Sequence, residues 1–272
     1  MRALTSLLIC AIVSPLSAVD FTKNSVALTY ERQQLDLDGG ASIDSDAYQV
    51  SLRKPLLVSR QNIVTLSGFH ETTVFDGELD QLSENRLSLF SLNRLSRQWS
   101  VVSVTNLIQA SAEGADLGGS VKFSGIYAAG YSKSRDLTIG LGLGLANQFD
   151  DSFSIFPVVL LDWKFAEDWK LTTYPTPGTR FGPGLSVKYD EYEYWSLYAG
   201  VRYLSREYRL ENDGRYEFST SRLFGTLEYE LEEDMILSTT VGYNFGGEIE
   251  NDGEEISLDP APFVGLDLTW RF

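Results

Sequence analysis

Residues 261–272 read APFVGLDLTWRF: Pro262, Val264, Leu266, Leu268, Trp270 and Phe272 take the even positions, and Gly265, Asp267, Thr269 and Arg271 the odd ones. Successive side chains of a strand point to opposite faces, so this is a strand with one apolar and one polar face. Residues 137–146, LTIGLGLGLA, repeat the pattern, with Leu137, Ile139, Leu141, Leu143 and Leu145 against Thr138, Gly140, Gly142, Gly144 and Ala146. The alternation recurs at Val26, Leu28 and Tyr30, at Tyr48, Val50 and Leu52, at Val121, Phe123 and Tyr127, and at Trp195, Leu197, Ala199 and Val201. It returns at Leu223, Leu227 and Tyr229 and at Met235, Leu237, Val241 and Tyr243.

A soluble sandwich and a transmembrane barrel both alternate in this way. Three features select the barrel. The segments run about nine to twelve residues, the length at which a tilted strand crosses a bilayer. Their ends carry Trp99, Trp163, Trp169, Tyr189, Tyr192, Tyr194, Trp195, Tyr208 and Tyr243, placed as interfacial girdles require. The polar face mixes glycine and alanine with lone charges such as Lys122, Arg202, Arg222, Asp267 and Arg271, as a lumen permits. The fold class expected is all-β, an antiparallel transmembrane β-barrel of about 14 strands, with 12 as the alternative. The strands begin near Asn24, Asp44, Arg60, Asn85, Trp99, Val121, Leu137, Phe153, Trp169, Arg180, Tyr194, Tyr216, Met235 and Ala261. Those at residues 60–69, 85–95 and 99–107 show no clean face, and spacing alone would allow the leucine-rich middle one to be a short amphipathic helix.

The chain has 272 residues and a net charge of −16, with 22 Lys and Arg against 38 Asp and Glu. Nucleic acid is not an expected partner, because such binding needs clustered cations. One cysteine and one histidine leave no zinc, iron–sulfur or Cys-His chemistry, and no cofactor is expected. The first residues, MRALTSLLICAIVSPLSA, run from an early Arg2 through an apolar stretch to small residues, the order of a secretory signal. Two units are therefore expected: a signal peptide at 1–18 and a barrel domain at 19–272. Cys10 goes with the leader, so the mature chain is held together without disulfides.

With the C-terminus in the periplasm, the outer connections are expected at 32–43, 71–84, 110–120, 147–152, 174–180, 207–217 and 246–260. They hold 21 acids against four bases, Arg32, Arg180, Arg209 and Arg215. The acidity of the chain is thus expected on an outer rim, beside outer-membrane lipid. Divalent cations shared with lipid phosphates are a conceivable partner there, although DLDGGASIDSD and ENDGEE keep no EF-hand spacing.

The leader, the alternating strands and a last strand ending Leu266, Leu268, Trp270, Phe272 resemble a bacterial outer-membrane β-barrel. That resemblance implies the outer membrane as location, and the barrel assembly machinery as a partner that reads Trp270 and Phe272. A narrower likeness covers residues 98–177, from QWSVVS through IFPVVLLDWKFAEDWKLTTYP. This stretch resembles a group of outer-membrane barrels known only as a domain of unknown function, which implies a fold and a place but no catalytic residues.

On the strands with a clear alternation the inward, lumen-lining candidates are Arg53, Lys122, Asp162, Lys164, Arg202, Arg222, Glu228, Asp267 and Arg271. If these charges pair across the lumen, the barrel is closed and structural; if they line water, their cationic excess mildly favours anions. The glycine row 140, 142, 144 lies inside a strand and so is no nucleotide loop. It leaves a face without bulk, best filled by a large group from elsewhere. Pro157 within a strand implies a bulge. His70, in GFHETT, invites an enzymatic reading, but Glu71 beside it must face the other way. The leading function is a porin-like channel for small solutes, since twelve or more strands enclose more space than their side chains fill. A closed structural or adhesive barrel comes second and a lipid- or peptide-modifying enzyme third; no metal or catalytic residue is assigned.

Overall fold

The alternation builds fifteen strands: β1 (Ser25–Leu37), β2 (Ser42–Val58), β3 (Asn62–Phe75), β4 (Leu82–Arg94), β5 (Trp99–Ala112), β6 (Val121–Ser132), β7 (Leu137–Asn147), β8 (Phe153–Lys164), β9 (Trp169–Thr172), β10 (Gly184–Tyr189), β11 (Trp195–Arg209), β12 (Arg215–Glu232), β13 (Met235–Asn251), β14 (Glu254–Asp259) and β15 (Ala261–Arg271). Pro260 divides β14 from β15, and both pair with β13 on one side and β1 on the other. They form one stave, so fourteen staves close into an antiparallel meander. The computed structural model describes residues 21–37, 42–76, 81–115, 118–149, 152–173, 182–192, 194–211, 214–251 and 254–272. The expected leader, 1–18, lies outside the described residues, as does the whole of the 174–180 connection.

Following the register once around the barrel gives a stagger of about 16 residues. Fourteen staves with that stagger tilt by roughly 40° and stand on a backbone radius of roughly 13 Å. Leu28, Leu52, Leu89, Leu107, Leu141, Ile155, Leu223, Val241 and Leu266 stand exposed on the outer face. They form the apolar band of a membrane barrel. At the end carrying Asn24 and Phe272, Trp163, Phe165, Trp169, Tyr189 and Trp195 run as a chain of ring contacts.

One alternative closes and two expectations change. The leucine-rich segment is strand β4, and neither it nor its neighbours β3 and β5 show a clean face because their inward sides are themselves apolar. Ile63, Phe90, Leu92 and Val102 form a buried cluster inside the barrel. The outer connections are shorter than expected, because 32–37, 71–75, 82–84, 110–112, 207–209, 215–217, 246–251 and 254–259 are strand. Above the apolar band these segments turn polar outward, as at Arg32, Asp44 and Asp46, while still burying Leu35, Phe75 and Ile249 inward. Pro157 makes no bulge against β7: the register from Leu137↔Trp163 to Asn147↔Phe153 is unbroken, with Pro157 opposite Leu143. On its other side β8 pairs with β9 only at Asp162, Trp163 and Lys164. Among the described residues no ladder partner faces Pro157 there, so its missing N–H interrupts no described pairing. Register shifts lie instead in β2 between Pro55 and Leu57, in β12 between Glu230 and Glu232, and in β13 between the pairs Ser219↔Glu248 and Ser221↔Phe245, where Gly246 takes a φ of 58°.

The barrel has two tiers. Beyond the apolar band, β11 meets β5 in a parallel bridge, Arg209 opposite Ser111. That contact closes a ring of nine staves from β11 through β15 and β1 to β5, leaving β6 to β10 outside it. A ring of nine has a radius of roughly 9 Å, close to the size that side chains alone can fill. It is filled: Leu35, Phe75, Leu82, Ile108, Ala110, Ala112, Leu204, Tyr208, Tyr216, Phe218 and Ile249 form one buried cluster, packed on by Leu37, Ile43 and Leu258. All nine staves of the ring contribute to it, and none of its strand residues comes from β6 to β10.

Candidate functional site: the lumen

Beneath the apolar cap lies a layer of ion pairs. Arg222 of β12 reaches across to Glu31 of β1 at 2.9 Å and donates to Gln33 at 2.6 Å. Its guanidinium sits 4.5 Å from the Phe263 ring. Arg206 of β11 pairs with Glu71 of β3, and with Glu84 of β4 at 3.7 Å; Glu84 also holds Arg86. Apart from Arg86, these carboxylates and guanidinium groups are almost wholly removed from solvent, so each depends on its partners. Sequence reading missed Glu31, Glu71, Glu84 and Arg206. Glu31 shares odd parity with Thr29 on β1, which could have revealed it; Glu71, Glu84 and Arg206 fell within or beside supposed loops.

The sequence-derived candidates all lie at inward positions, and they separate into groups. Lys122 approaches Glu207 at 3.3 Å and Asp162 approaches Lys170 at 2.9 Å. Asp267 accepts from Thr29 at 2.7 Å and Thr269 at 2.8 Å, and Glu228 accepts from Tyr198 at 3.4 Å. Arg202 stands directly opposite Arg222 and packs its guanidinium against Phe224, 5.6 Å from the ring centre. Arg53 lies 5.0 Å from the Phe21 ring. Lys164 and Arg271 stand at the end with Asn24 and Phe272, one exposed and the other half-buried. Phe21, just before β1, turns into the barrel, stacks on Phe90 at 4.1 Å and accepts from Thr65 through its carbonyl at 2.8 Å.

The glycine row is covered from within. A methyl at Gly144 would overlap the Phe156 ring, and one at Gly140 would press on Leu160 at 3.1 Å. Ala128, Val158 and Leu160 continue this apolar side of the wall, joined through Ile126 to the cluster around Phe90. Thr226, Ser238, Thr240 and Asp267 make the opposing wall polar. His70 faces outward, bonded to Asn85 at 2.8 Å and Thr72 at 3.3 Å, while Glu71 faces in. The two therefore share no site. Among the described residues no cluster of His, Cys, Asp and Glu could hold a metal ion.

The model of a family described as a domain of unknown function, DUF6268, matches residues 72–256. No curated protein matches the sequence. Among solved structures, the COG4313 outer membrane channel from Pseudomonas putida F1 is similar, with 13% identity, a TM-score of 0.57, and coverage of 96% of this chain and 100% of that one. The CymD monoaromatic hydrocarbon channel follows at 10% identity and TM-score 0.51, over 92% of this chain and 89% of its own. A Pseudomonas aeruginosa FadL homologue gives 10% and 0.50, over 92% and 90%. At these identities the likeness is one of fold, that of bacterial outer-membrane channels.

Proposed function

Because the chain belongs to the DUF6268 family, which brings a fold and no assigned activity, we propose from its geometry that it is an outer-membrane channel for small solutes. One observation carries the reading. The lower tier has fourteen staves, too wide for inward side chains to fill. Among the described residues no apolar cluster spans it: the clusters of Phe90 and Val158 each lie along adjacent staves of one side. A chamber apolar on one side and polar on the other suits solutes with both characters, and the fold shared with a hydrocarbon channel supports this. The chain reaches the outer membrane through its leader, with the last strand and its Trp270 and Phe272 read by the assembly machinery. The acidic outer rim, including Asp36, Asp44 and Asp46, faces lipid headgroups, where divalent cations are held.

The apolar cap on the nine-stave ring favours a second reading, a closed structural barrel. Refolded protein in planar bilayers separates the two. The channel gives discrete conductance steps; a silent bilayer, with folding shown by heat-dependent gel mobility, refutes it.

A further inference from the structure

The two tiers do not share an axis. Where β11 and β12 rise into the nine-stave ring, their outward side chains turn toward the inner faces of β6 and β7, which stop lower. Between them lies a recess of about 180 Å3, lined by outward Ser205, Glu207 and Glu217 on one side and by inward Lys122, Ser124 and Ala146 on the other. It is the place where inner-wall residues of the wide tier meet outer-wall residues of the narrow one. The Lys122 ammonium donates to the Glu207 carbonyl at 3.0 Å, lies 3.3 Å from its carboxylate and stands 4.7 Å from the Phe149 ring. Phe149 in turn donates its backbone N–H to Glu207 at 3.2 Å.

Along the barrel axis, by contrast, a solute meets the cap of Phe75, Leu82, Tyr208, Tyr216 and Phe218, with the ion pairs of Arg206 and Arg222 directly beneath. Passage there requires unpacking a core and separating buried charges, each step costing several kcal/mol. The recess needs the separation of one ion pair, Lys122 from Glu207, whose side chains are 14% and 7% exposed, and no unpacking of an apolar core. We propose that the mouth of the channel is this off-axis recess, and that the Lys122–Glu207 pair is its selectivity element. The inference rests on the channel reading and adds where the solute passes. Opposite charges side by side on a narrow opening suit a small neutral or zwitterionic solute, because an ion of either sign must displace one member from the other.

The test is single-channel recording of the refolded full chain carrying Cys10→Ser, with a cysteine introduced as Ala146→Cys in the recess or Leu37→Cys on the axial cap. A negatively charged methanethiosulfonate reagent is added from the loop side. The expected result is a loss of at least about half the conductance after modification at Ala146, and a change below about a tenth after modification at Leu37. The reverse pattern, or a current unaffected at Ala146, overturns the off-axis mouth while leaving the channel. A parent protein that folds and never conducts overturns both. As an independent readout, Lys122→Ala shifts the reversal potential toward cations and Glu207→Gln toward anions, while Phe218→Ala leaves it in place. Equal reversal potentials in all three also overturn the proposal.

Discussion

Removing Arg222 probes how dry the boundary between the two tiers is. In the native barrel the exposures of the Arg222 and Glu31 side chains are only 4% and 3%, and the pair is joined at 2.9 Å. Gln33 accepts a second bond from the same guanidinium, and Phe263 covers its face. Arg222→Met keeps much of the volume but takes the Arg222 charge away from the buried Glu31 carboxylate. A broken buried pair costs about 3–5 kcal/mol, and the lost cation–π contact adds about 0.5–2 kcal/mol. The double variant Arg222→Met, Glu31→Leu removes both charges and is expected to recover most of that loss, since an apolar replacement of a buried pair is often neutral. The coupling between the two sites should therefore exceed roughly 2 kcal/mol. Urea titration of protein refolded into phospholipid vesicles, followed by the fluorescence of its five tryptophans, measures all three variants. A loss below about 1 kcal/mol in Arg222→Met would mean that water reaches Glu31 and that the axial route is open at this level.

Four further outcomes follow from particular contacts. Gly144→Ala is expected to destabilise by about 1–3 kcal/mol in the same titration, because the methyl overlaps the Phe156 ring; Phe156→Ala in the same chain should relieve most of it. Gly246→Ala meets no atom within 4 Å, so its cost is conformational, about 1–2 kcal/mol, and Gly246→Asn should cost less. Leu141, 71% exposed on the outer face, should cost about 2–4 kcal/mol as Leu141→Arg in vesicles, whereas Gln34→Arg, above the apolar band, should leave stability nearly unchanged. His70→Ala is expected to stay within about 0.5 kcal/mol of the parent and to leave conductance unaltered, since the imidazole faces away from the lumen.

The strand count was legible because lipid and lumen enforce a two-residue period wherever a stave crosses the bilayer. Residues such as Leu266, Asp267 and Leu268 state that period without ambiguity. It fades at Ile63, Phe90, Leu92 and Val102, where the inner face is as apolar as the outer one, and those strands look faceless. The upper tier was illegible for a related reason. Above the membrane the outward face turns polar and the inward face apolar, so Leu35, Phe75 and Ile249 invert the pattern that marks a lipid-facing strand. Such segments read as loops, and Glu71, Glu84 and Glu207 with them as rim acids, although all three are buried against arginine or lysine. Nothing local in sequence encodes a bridge between residues as far apart as Ser111 and Arg209.

That bridge has a topological cost. In a meander, staves separated by an even number of steps run the same way, so a ring of nine can be sealed only by a parallel pair. Parallel ladders are slanted and slightly weaker per residue than the antiparallel ones elsewhere in the wall. The seam between β5 and β11 holds a single such pairing, backed by Lys122 on Glu207. It is therefore the line along which the upper ring would part first under load, while β6 stays laddered to β5 and β10 to β11 in the wide tier below.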